Sequence, residues 1–242
     1  GFSSDADVTV QNGSLATMTS SDNITWTGTF TPSSDVEDAT NVMSLATSYT
    51  DTAGNAGPSA TTDNYEVDTI RPTVAAFTMS DTALISGETS TVTLQFSEAV
   101  ASFSSDDDIT VQNGSLATMT SSDNITWTGT FTPTSDVEDA TNVLTLATTY
   151  TDTAGNAPAS TSTTDNYTVD TTAATVVAFT LSDSALKIGD TATVTLQFSE
   201  AVTGFSSDAD VTVQNGSLAT MTSSDNITWT GTFTPSSDVE DA

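Results

Sequence analysis

The stretch GFSSDADVTVQNGSLATMTSSDNITWTGTFTPSSDVEDA fills residues 1–39, returns unchanged at residues 204–242, and recurs as a close variant over residues 102–140. Phe2 is echoed by Phe103 and then by Phe205. That spacing of about a hundred residues suits one β-sandwich domain, not the roughly 20 to 50 residues of a solenoid repeat. Each unit is therefore expected to own a core. In the central copy Ile125, Trp127, Gly129 and Phe131 alternate with threonines, the period of a strand with one buried face. Ahead of them the Asn113-Gly114 pair is a tight-turn signal between two short β-rich runs.

Outward from this strand, the central unit covers residues 69–170 and reads as about seven strands. They are Thr73–Met79 (A), Ser90–Phe96 (B), Asp108–Val111 (C), Leu116–Met119 (D), Ile125–Phe131 (E), Val143–Tyr150 (F) and Asn166–Asp170 (G). Short strands punctuated by Gly, Asn, Asp and Pro predict an all-β fold: tandem immunoglobulin-like antiparallel β-sandwiches with Greek-key connections, arranged end to end. No helix is expected beyond a short turn at Ser135–Ala140, and Trp127 is expected in the core. Residues 1–68 read as a partial repeat lacking its first strands, and residues 171–242 as one lacking its last. The chain is accordingly expected to be a cut from something longer.

Strand direction sorts the loops between two poles. With strand A running downward, Ser97–Asp107, Ser121–Asn124 and Asp152–Ser162 gather at the top, while Ser80–Glu88 and Thr134–Asn142 gather at the bottom. The top of one unit then meets the bottom of its predecessor across a linker such as Asp68-Thr69-Ile70-Arg71-Pro72.

Composition narrows the function. The formal net charge is -30, with Arg71 and Lys187 the only cations, and with no His and no Cys. A polyanion gains no affinity for nucleic acid by releasing counterions from phosphates, and none for an anionic bilayer by Coulomb attraction. No run is apolar enough to span a membrane. Without Cys there is no disulfide framework, thiolate zinc site or cysteine nucleophile. Paired carboxylates could serve a glycosidase, but the loops are short and duplicated in every unit, which does not make a pocket. No catalytic activity is expected. Trp26, Trp127 and Trp229 sit at period-two positions that suit core packing better than a carbohydrate platform.

The linkers VDTIRPTV (67–74) and VDTTAATV (169–176), the FSEAV at 96–100 and the TDTAGN at 50–55 and 151–156 resemble the bacterial Ig-like repeats of giant surface adhesins, including RTX-type and biofilm-associated ones. The resemblance covers essentially the whole chain. It implies a non-catalytic extender or stalk of a bacterial cell-surface adhesin, outside the cell, with calcium bound near domain junctions.

Calcium also follows from the residues themselves. It takes roughly six to eight oxygen ligands from carboxylates, amides and backbone carbonyls, and an oxygen-only donor set favours it over transition metals. At the first junction Asp68 is expected to approach Glu98, Asp106, Asp107, Asp108, Asp152 and Asn156; at the second, Asp170 is expected to approach Glu200, Asp208 and Asp210. A lower cluster combines Asp136, Glu138 and Asp139 with Asp81 or Glu88. So many carboxylates, with almost no Lys or Arg nearby, need cations to offset their repulsion. Several calcium ions at domain junctions are therefore expected.

The expected partners are neighbouring repeats of the same chain. The rival reading is a structural subunit of an extracellular filament, sheath or surface layer, with other copies as partners. Strand exchange between near-identical neighbours is a further hazard of such arrays.

Overall fold

Alternation of β-branched and apolar residues with Thr and Gln sets the sheets. The computed structural model describes residues 1–238 and 240, so the predicted end of the last repeat at residue 242 lies outside them. In the central repeat the strands are Val74–Met79 (β1), Ala83–Ile85 (β2), Ser90–Phe96 (β3), Ile109–Thr110 (β4), Gly114–Leu116 (β5), Thr126–Pro133 (β6), Glu138–Asn142 (β7), Thr145–Leu146 (β8), Ser162–Thr163 (β9) and Tyr167–Asp170 (β10). A four-residue helix, Ser105–Asp108 (α1), precedes β4.

One layer is a four-stranded antiparallel sheet in the order β5-β6-β3-β1. Val92, Leu94 and Phe96 of β3 are buried while Thr91 and Gln95 face solvent, and Leu94 lies across from Trp127 on one side and Phe77 on the other. The opposing layer is two short ladders, β4-β8-β9 and β7-β10-β2. Phe77, Leu94, Phe96 and Phe131 from the first layer meet Leu84, Leu146, Tyr167 and Val169 from the second in one core, joined by Leu144 and Tyr150. The all-β sandwich reading holds.

Glycine has a packing role in β6. A Cβ on Gly129 would lie 2.8 Å from both the Ala117 carbonyl and Met119 Cγ, so only Gly lets β6 approach the segment after β5. Trp127, expected as core, is half-buried at the margin. It packs against the core with Phe103 edge-on at 4.9 Å.

Three local expectations are corrected. The Ser80–Glu88 loop contains β2, which crosses to the other layer and runs parallel to β10, Leu84 opposite Val169. A helix not expected lies at Ser105–Asp108, while the short turn expected over Ser135–Ala140 is confined to Ser135–Asp136 because β7 begins at Glu138. The Ser104 amide donates to Asp108 Oδ2 at 2.8 Å and closes the helical turn, whereas Glu138 and Asp139 pair with Asp170 and Val169. Strand F is mostly irregular. Asn166 Oδ1 accepts the Asn142 amide at 3.0 Å and Thr164 Oγ1 the Leu144 amide at 3.0 Å, so side chains stand in for the backbone ladder there.

The chain divides into two compact units, Gly1–Thr171 and Thr172–Ala242. Within the first, residues 1–68 form three small ladders: Val8–Thr9, Ser44–Leu45 and Ala60–Thr61; Gly13–Leu15 with Phe30–Pro32; and Glu37–Asn41 with Tyr65–Asp68. Among its described residues the second unit holds one four-stranded sheet of Val176–Leu181, Ala192–Phe198, Thr228–Pro235 and Gly216–Leu218, with a four-residue helix at Ser207–Asp210.

Candidate metal centre

Asp68 ends the last strand of the first repeat, where it lies opposite Glu37 in an antiparallel ladder. The linker beyond it is tied at both ends. Thr69 Oγ1 donates to the Ser33 carbonyl at 2.8 Å, holding it to the first repeat. Arg71 Nη1 donates to the Ala157 carbonyl at 2.8 Å, and Asn156 Nδ2 to the Asp68 carbonyl at 3.2 Å, holding it to the central repeat.

Asp152 caps the turn of TDTAGN. Its Oδ1 accepts the amides of Gly155 at 2.7 Å and Asn156 at 2.8 Å, and its Oδ2 accepts Asn156 Nδ2 at 2.8 Å. The same chemistry recurs at Asp51, which accepts the Asn55 amide at 2.8 Å and Asn55 Nδ2 at 2.9 Å. Gly155, at φ +97°, supplies the left-handed residue the turn requires. The Asp152 side chain is buried, at 1% exposure.

Glu98 follows β3 and points into the same place. It is half-buried, and no hydrogen bond from the described residues reaches its carboxylate. Burial is the main cause that lifts its pKa above the ordinary 4.5, and the negative charges of Asp152, Asp68 and Glu37 add to it. One ligand oxygen each from Asp68, Glu98 and Asp152 lies within 4.8 Å of the other two. Among the described residues this is the one such group of three.

The other residues expected at the first junction have local partners. Asp106 is exposed and accepts Thr118 Oγ1 at 3.0 and 3.1 Å. Asp107, also exposed, accepts Ser104 Oγ at 3.0 Å. Asp108 is turned inward, accepting the Ser104 amide and the Thr149 hydroxyl. Asn156 reaches Asp68 and Asp152 through its amide nitrogen, as a donor. At the expected second junction, Asp170 belongs to the first unit and lies exposed opposite Glu138. Glu200, Asp208 and Asp210 belong to the second unit, where Asp208 accepts Thr220 Oγ1 at 3.1 Å and Asp210 accepts the Ser206 amide at 2.8 Å. In the lower cluster Asp139 accepts the Thr141 amide, which is the main cause holding its carboxyl below the usual range, and also Asn113 Nδ2. Asp81 and Glu88 accept the amides of Ala83 and Ile85.

Glu37 belongs to the same electrostatic neighbourhood and was not anticipated. The sequence signal for it is the acidic corner of the first repeat, whose counterpart Glu138 lies in the corner expected at the bottom of the central one. The gathered set is chemically suited to a hard cation: three carboxylates, with no imidazole or thiolate in the chain.

A family model described as a bacterial Ig-like domain matches residues 1–67, 68–169 and 170–242. No curated protein and no solved structure matches the chain.

Proposed function

Since the chain belongs to the bacterial Ig-like domain family, we propose that it is an extender segment of a long bacterial surface adhesin, with calcium held by Asp68, Glu98 and Asp152 where the first repeat meets the central one. Tandem domains of this kind are typically non-enzymatic structural modules, extracellular or surface-exposed. Among the described residues no helix is long and apolar enough to cross a membrane. The observation that carries the metal reading is Glu98, a half-buried carboxylate that no hydrogen bond from the described residues reaches, facing two more carboxylates. Arg71, the one cation of the linker, is spent on the Ala157 carbonyl.

Calcium would supply the missing positive charge. Asp68 comes from the last strand of one repeat, and Glu98 and Asp152 from two loops of the next. A cation shared among them restrains the hinge between the repeats, which is what a stalk under load requires. Asn156 and Arg71 position the linker so that Asp68 faces the two loops.

Thermal unfolding in calcium and in excess chelator tests the proposal. A ligand that binds only the folded state stabilises it by about 2.7 kcal/mol at a free concentration roughly a hundred times Kd. Calcium should raise the Tm of the wild-type chain, magnesium should raise it less, and Glu98→Gln should remove most of the calcium increment. An unchanged Tm on adding calcium would refute it.

A further inference from the structure

Asn113 and Gly114 form a pair whose two members the fold needs for different reasons. Asn113 sits in the left-handed region at φ +47°, where Asn is among the few side chains readily accepted. Gly114 opens β5, and a Cβ there would lie 2.2 Å from Phe131 Cζ and 2.7 Å from the Thr132 carbonyl oxygen, so a larger residue would have to move the core. The pair Asn12 and Gly13 has the same geometry, with φ +49° and a Cβ distance of 2.3 Å to Phe30 Cζ. Turn geometry and packing therefore both favour keeping Asn directly before Gly.

That pair carries a chemical liability. With no side chain on the next residue to hinder approach, the Gly114 nitrogen can give up its proton and attack Asn113 Cγ. The Cγ–Nδ2 bond breaks and ammonia leaves with that proton, which closes a cyclic succinimide. Water then opens one of the two ring carbonyls, leaving aspartate or isoaspartate, and no oxidant or reductant takes part.

In the folded repeat the Asn113 amide is held. Its Nδ2 donates to Asp139 Oδ2 at 2.8 Å and to Asn142 Oδ1 at 2.6 Å, and its carbonyl accepts the Thr134 amide at 2.9 Å. Asn142 is itself fixed: it is 1% exposed, and its Nδ2 donates to the carbonyls of Asp139 at 3.0 Å and Tyr167 at 3.1 Å. Ring closure needs Cγ and the next amide nitrogen to swing together, against these bonds. The first repeat holds Asn12 the same way, on Asp38 at 2.8 Å and Asn41 at 2.6 Å.

We propose that Asn113 is a deamidation site gated by the fold: it is kept intact while the central repeat is folded and converts to a carboxylate when the repeat unfolds, after which the native stability is not regained. The product lacks the donor on which both acceptors depend. A carboxylate at position 113 faces Asp139, and the buried Asn142 Oδ1 meets an anion in place of an N–H, costs that fall on refolding. Isoaspartate also lengthens the backbone of the turn, against the register that sets Gly114 opposite Pro133. None of this depends on calcium.

The test holds wild-type chain in mildly alkaline buffer, native and in guanidinium chloride, and follows the peptide that bears Asn113 by mass spectrometry. Conversion should run in guanidinium and be slower in the native chain by about a thousandfold or more, in step with the unfolded fraction. Asn113→Asp should lower the Tm, and adding Asp139→Asn should restore part of the loss, because the new amide donates to the new carboxylate while its Oδ1 still accepts the Thr141 amide. If the single variant does not fold, recovery of the fold in the double variant gives the same answer. Conversion as fast in the native chain as in guanidinium, an Asn113→Asp chain as stable as wild type, or no recovery in the double variant would overturn the proposal.

Discussion

At Glu98 a carboxylate is half-buried beside Asp152 and Asp68, so its charged form is less favoured in the folded chain than in the unfolded one. The folded pKa lies above 4.5, and the folded state holds the proton to higher pH. Metal-free stability from this group is therefore present below the unfolded value and is lost as pH rises through the folded one. Denaturant titrations in chelator should show that decline, and Glu98→Gln should flatten it. The turn aspartates have the opposite sign. Asp22, Asp123 and Asp225 each accept backbone amides, led by those of Thr25, Thr126 and Thr228, and their pKa values lie below 3.8. Their contribution is present above 3.8 and is lost as pH falls through the folded values, so acid unfolding in the same titrations should set in below that pH. The carboxylates that gather could be read from loop poles alone, because strand direction places Glu98 and Asp152 at one end and Asp68 at the linker. Their neighbours Asp106, Asp107 and Asp108 could not be sorted that way. Nearby hydroxyls and, at Asp108, a backbone amide claim them, and such short-range bonds follow from the turn's conformation, not from where the loop lies. Glu37 was hidden in strand register, which pairs it with Asp68 across the chain.

At the scale of elements, β2 shows what periodicity misses. Ala83–Ile85 is three residues between Asp81 and the Gly87 turn, and its partner β10 lies far along the chain. No local pattern marks a strand so short, yet Leu84 is 1% exposed in the core. Leu84→Ala should cost about 2 to 5 kcal/mol by equilibrium denaturation, whereas substitution of an ordinary loop residue would cost far less. The strand β3 was legible in full, since STVTLQF alternates without interruption. Strand F was not, because Asn166 and Thr164 replace its ladder with side-chain acceptors. In β6 the same logic fixes Gly129. Gly129→Ala must displace Met119 or the Ala117 carbonyl, and overpacking of this kind should lower stability by about 1 to 3 kcal/mol in the same assay, with Thr130→Ala on the exposed face as the near-neutral comparison.

At the scale of the whole molecule, repeats that each match one domain model make up a strongly acidic chain of formal net charge -30. The junction between the first and central repeats combines a tethered linker with a group of carboxylates that form no salt bridge among the described residues. Extender function then rests on whether a metal there limits hinge motion. Nitroxide labels at Thr31→Cys and Thr130→Cys, both exposed and in a chain free of cysteine, report that motion as the width of their distance distribution. The account predicts a narrow distribution in calcium that broadens in chelator, with Glu98→Gln broad in both. Equal widths with calcium and with chelator in the wild-type chain would contradict it.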